Sequence, residues 1–207
     1  RELLARLDLE KLTGSPVGVK FIDLESYLGL NLGKRNQPQD LSQVSACQMI
    51  NPFKTMEADP GHIYVALSPA VSDSTLIHQL AHVLDYLAGS KNNPALAGPL
   101  SMEMDIPIEL LEHPQEFGYW LGFLKNEFGL VLDAEDAIVD YLHQTGHLIP
   151  GRALTSEDHF LLEAHAKRTK EFIRKNRTSI EERIRSRKGY QAEIFQLYPR
   201  SSPEGDQ

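Results

Sequence analysis

Residues 74–89, STLIHQLAHVLDYLAG, decide how this chain is read. Leu76, Leu80, Val83, Leu84 and Leu87 recur at helical spacing and gather on one side, and Gly89 supplies a stop. His78 and His82 are four residues apart, so on a helix they stand one turn above the other on the opposite face. At about 100° per residue, Asp85 falls about 20° from His78. The pattern predicts a helix over 73–87 with a core face and a face presenting two imidazoles and a carboxylate. Two neutral imidazoles so placed can share one Zn2+ at ~2.0–2.1 Å each, leaving corners for a third ligand and water.

Working outward, HIYVAL (62–67) reads as a strand leading into that helix, with VGVKFI (17–22) and SACQMI (45–50) as two more strands. Residues 1–13 form a short amphipathic helix ended by Gly14 and Pro16. The polar stretches 31–44 and 89–100 read as loops. Helices are expected over 114–128 and 134–145, and from 156 into the 180s behind the cap-like pair Thr155 and Asp158. Strands come early and helices dominate later. The expected class is therefore α+β, mainly helical, with a small mixed sheet preceding the histidine helix.

Composition narrows the options. The 207 residues are 41% hydrophobic and 24% charged, ordinary for a folded protein that needs no disulfides. Cys47 is the only cysteine, which excludes a cysteine-rich zinc ribbon and slightly favours a reducing, cytoplasmic compartment. No apolar run approaches the ~20 residues of a membrane span, so a soluble protein is expected. Arg1 in place of methionine is what a fragment or processed form would show. The net charge of −8 argues against nucleic acid as a partner. It is unevenly spread: residues 1–151 hold 9 Lys/Arg against 20 Asp/Glu, and 152–188 hold 11 against 6. Leu162, Ile173, Ile180 and Ile184 mark an apolar stripe in the basic segment, and Lys167, Arg168, Lys170, Arg174, Lys175 and Arg177 supply its charge. Such a run is usually a solvated face; it also suits a protein partner or the acidic body of this same chain.

Eight histidines in 207 positions give roughly 0.3 pairs at spacing four by chance, so HxxxH alone says little. A second pair, His143 and His147, has Gly146 between its members and reads as surface or capping. His62 opens a strand beside the proposed site and reads as a surface residue. Cys47 reads as a buried strand residue rather than a nucleophile.

The histidine segment resembles the HExxH helix of zincin-type zinc metallopeptidases. More closely, HQLAHVLDYLAG is similar to the HExxHxxDxxxG segment of the Mlc titration factor and lethal-factor-type peptidase families. Those families place a Glu ligand downstream in a P-x-E-F context, which HPQEFGYWLGF (113–123) matches at Glu116. The resemblance covers about 60–125. It implies a metallopeptidase domain over 1–151 with Zn2+ on His78, His82 and Glu116, and 152–207 as a basic helical extension packing on the same domain. Glu103, Glu109 and Glu112 are fallback ligands, and Asp85 is a carboxylate that orients a ligand, ties to the next loop or simply faces solvent.

One position departs from the pattern. Residue 79, the place of the general base, is Gln. Gln has nearly the shape of Glu but cannot carry a proton, and losing a base costs ~10²–10⁴ in rate. The families' Tyr before the third ligand is also missing, since 105–115 contain none. Gln79 is either an engineered change or the mark of a degenerate member. The resemblance then implies an inactive or weakly active peptidase acting on peptide or protein substrates. The alternative is a non-catalytic, zinc-containing module that binds peptide or protein.

Overall fold

The computed structural model describes residues 7–25, 47–50, 61–90, 97–156 and 159–191. Its order of elements is mainly helical with one small sheet, the α+β class expected. The chain divides into two compact units, Arg1–Gly89 with Leu124–Leu130, and Ser90–Phe123 with Val131–Gln207.

In the first unit, α1 (Leu9–Thr13) starts where the Asp8 carboxylate accepts from Lys11 N and stops at Gly14, whose φ of 70° needs no Cβ. Strands β1 (Gly18–Asp23), β2 (Cys47–Ile50) and β3 (His62–Leu67) form one sheet in the order β1-β3-β2. β3 is central: Gly18 to Asp23 pair with His62 to Leu67 in parallel, and Cys47 to Ile50 run antiparallel to Leu67 through Tyr64. The consecutive residues Tyr64, Val65 and Ala66 are all buried, so both faces of β3 are covered there, as its nearly continuous apolar run anticipates. A Cβ at Gly18 would lie 2.8 Å from the His62 ring, so a larger residue there would have to displace that ring.

Helix α2 (Asp73–Leu87) follows β3, with the Ser72 hydroxyl accepting from Thr75 N at 3.3 Å. Its bounds are those the sequence predicts. Val83 and Leu87 pack with Val65 against Val17, Val19, Phe21, Cys47, Met49 and Ile63. α2 thus lies on the sheet through the apolar stripe that marked it.

The second unit holds α3 (Ala97–Met104), α4 (Ile108–Glu112), the start of α5 (Gln115–Phe128), α6 (Ala134–Gln144), α7 (Gly151–Leu154) and α8 (His159–Ile184). Ala97, Ile106, Leu110, Leu111, Ile149, Ala153, Leu162 and Ala166 form its core. Three of these helices are too short to display a period, and α3, α4 and α7 were not predicted. α3 begins inside the expected 89–100 loop because Pro99 falls in its first turn, where a missing N–H costs nothing. Residues 1–6, 31–46, 51–60, 157 and 158, on which parts of the first helix, the first loop, the second strand and the last helix cap were expected, lie outside the described residues.

α8 buries Leu162, Ala166, Thr169, Ile173, Ile180 and Ile184, the anticipated stripe with its gaps filled. It packs on α6 and α7. Part of its basic run is spent inside the unit: Arg168 donates to Gly146 O, Lys170 donates to Asp105 O at 3.1 Å, and Arg183 lies 4.6 Å over the Tyr141 ring. Among the described residues, no helix is long and apolar enough to cross a membrane.

Ile180 is 1% exposed at the far end of this stripe. Ile180→Ala should lower the free energy of urea unfolding by about 2–5 kcal/mol through lost burial and a cavity. Arg174→Ala, on the exposed side, should change it by less than ~0.5 kcal/mol.

Candidate metal centre

α2 holds His78 and His82 with ring centroids 5.0 Å apart, edge to face. His82 is buried and His78 half-buried. Burial, and then repulsion from His78, push the His82 pKa down from 6.5 to about 3. It is therefore a neutral imidazole at neutral pH, the form that ligates a metal. Asp85, three residues on, is 3% exposed, which removes its solvent-facing reading. A carboxylate buried to that degree is stable only with partners.

His113 stands in the second unit. It follows the last turn of α4, its ring stands 4.7 Å from Phe117, and its Nδ1 is 3.1 Å from the Glu109 carbonyl oxygen. With Nδ1–H donating there, Nε2 keeps its lone pair for an ion, the arrangement by which backbone carbonyls usually fix metal-binding histidines.

Glu116, the expected third ligand, is exposed in the second unit, and its Oε2 accepts from Gly151 N at 2.8 Å, at the first residue of α7. An acid at a helix start satisfies an orphan donor. Of the fallback acids, Glu103 faces His159 at 3.9 Å. Pro114 disfavours helical conformation at His113 and places it at the junction of two helices.

Gln79 is half-buried on α2 and faces the sheet. In the amide orientation its surroundings require, Nε2 donates to Cys47 O and Oε1 accepts from Met49 N, both at 3.2 Å. The second histidine pair does not share a helix face. His143 lies on α6, whereas His147 comes after Gly146 (φ 71°) and stacks on Phe172 at 3.6 Å. His62 is half-buried with its ring against Gly18, and Cys47 is a half-buried thiol. Compared with known proteins, the chain matches no family model, no curated protein and no solved structure.

The His82 shift has a pH consequence. Its folded pKa of about 3 lies below the unfolded 6.5, so only the unfolded chain takes up that proton in between. Metal-free protein should lose stability as pH falls from about 6.5 toward 3, by up to about 1.4 kcal/mol per pH unit from this group. Urea unfolding at about pH 7 and about pH 5 should show a smaller drop in His82→Gln than in the parent chain.

Proposed function

We propose that this chain is a divalent-metal-binding domain of zincin type whose centre binds without efficient hydrolysis. The observation that carries the reading is the pair of imidazoles on one face of α2, one of them neutral by burial, beside a Gln whose amide is engaged by strand backbone. Imidazole ligands suit Zn2+ among the available ions, with His78 and His82 as the ligands this helix supplies. When bound, zinc supplies a Lewis acid able to polarise a carbonyl and acidify water. What the chain's own residues add is holding and orientation, and Asp85 is the buried acid on the histidine helix. No group at position 79 can move a proton, because an amide has none to exchange at that task. The chemistry fits capture of a peptide or protein ligand rather than its cleavage. A protein partner on the part of α8 that remains solvated, around Lys167, Arg174 and Lys175, is compatible with this reading.

Metal analysis of the purified chain should find about one zinc per molecule. His78→Ala and His82→Ala should each abolish it, and zinc retained in both variants, or no metal in any form, would end the reading. The peptidase alternative is tested by Gln79→Glu. Peptide hydrolysis should stay at background in both forms, whereas a gain of ~10²-fold or more would make this an active-site framework lacking only its base.

A further inference from the structure

β2 has four residues, and its backbone groups alternate in direction as those of any strand do. Met49 N–H and Cys47 C=O point the same way, and both are taken by the Gln79 amide at 3.2 Å. A single N–H does not also serve the β3 ladder, so these groups face away from β3, toward the side of β2 that is an outer edge among the described residues. There the amide does what one peptide unit of a fourth strand would do. It offers one donor and one acceptor at the spacing a strand presents. Glu offers two acceptors, which satisfies Met49 N–H and sets an oxygen against Cys47 O. Met has the same length and offers neither.

We infer that Gln79 is a positioning residue: its amide closes the outer edge of β2 and sets the rotation of α2 that carries His78 and His82. Two independent contacts fix that rotation, the apolar packing of Val83 and Leu87 on Val65 and the paired bonds from Gln79 to β2. Gln79 adjoins His78 and precedes His82 by less than one turn, so a change in its tether turns both rings. The same bonds occupy two of the backbone groups through which an extended peptide would add to this edge. The positioning half of the inference rests on the metal-centre reading; the edge closure does not.

Amide hydrogen exchange on the metal-free full chain tests the closure directly. Met49 N–H should exchange at least ~10-fold faster in Gln79→Met than in the parent, with Val65 N–H in the central strand unchanged, a drop in local stability of about 1.4 kcal/mol. Gln79→Glu, which keeps an acceptor, should restore slow exchange at Met49. Equal Met49 exchange in parent and Gln79→Met overturns the closure. Co2+ titration, read by its visible absorption, tests positioning: Gln79→Met should weaken binding ~10–100-fold, as loss of supporting contacts around metal ligands does. Faster Met49 exchange with unchanged Co2+ affinity overturns the positioning half. A parent chain that binds no Co2+ overturns the metal reading, and the Met49 comparison still decides the closure by itself.

Discussion

The packing of Val83 and Leu87 on Val65 is the contact from which the candidate site follows. A helix lying on a sheet has one rotation that buries its apolar stripe, and each residue of slip turns it by about 100°. With Ile77, Leu80, Leu84 and Leu87 committed to burial, residues 78, 82 and 85 have no choice of face. The imidazoles are thus placed by hydrophobic burial, and their own chemistry has only to tolerate where they are put. His82 does so by remaining neutral, and the cost of charging it in a buried position beside His78 is the reason.

Legibility tracked the length of the periodic signal. α2 and β3 were readable to the residue, because fifteen residues of helical period and a six-residue apolar run leave little ambiguity. α4, with five residues, shows no period and was not predicted for that reason. The P-x-E-F pattern drew attention to Glu116, and what it could not contain was Gly151 N, a donor 35 residues away in sequence that meets Glu116 only in the fold. A side chain's availability as a ligand depends on every other group that can claim it, and those claims are long-range.

The basic run of α8 makes the same point with the opposite charge. On the sequence it is one stripe of cations on an acidic protein, open to several partners. In the fold Arg168 reaches the carbonyl of Gly146 and Lys170 that of Asp105. Both carbonyls belong to positive-φ residues just beyond helix ends, where unpaired acceptors and the negative pole of the helix attract cations. These two charges contribute to holding α8 against the chain beneath it. The surface left for an outside partner is smaller than the charge count implies.

Position 79 joins these arguments. A general base has to present a carboxylate to the reacting group and exchange a proton there, so it must be uncommitted in the resting fold. The residue at 79 is doubly committed, to Cys47 O and Met49 N. Glu and Gln have the same shape, and the difference lies in one atom that changes from donor to acceptor. Facing a carbonyl, that change replaces an attraction with a repulsion in a half-buried place, where an unsatisfied acceptor costs about 1–3 kcal/mol. By the measure of the β2 edge Gln79 is the residue whose hydrogen-bonding pattern fits. That fit accounts for an amide, rather than any other inert side chain, standing there.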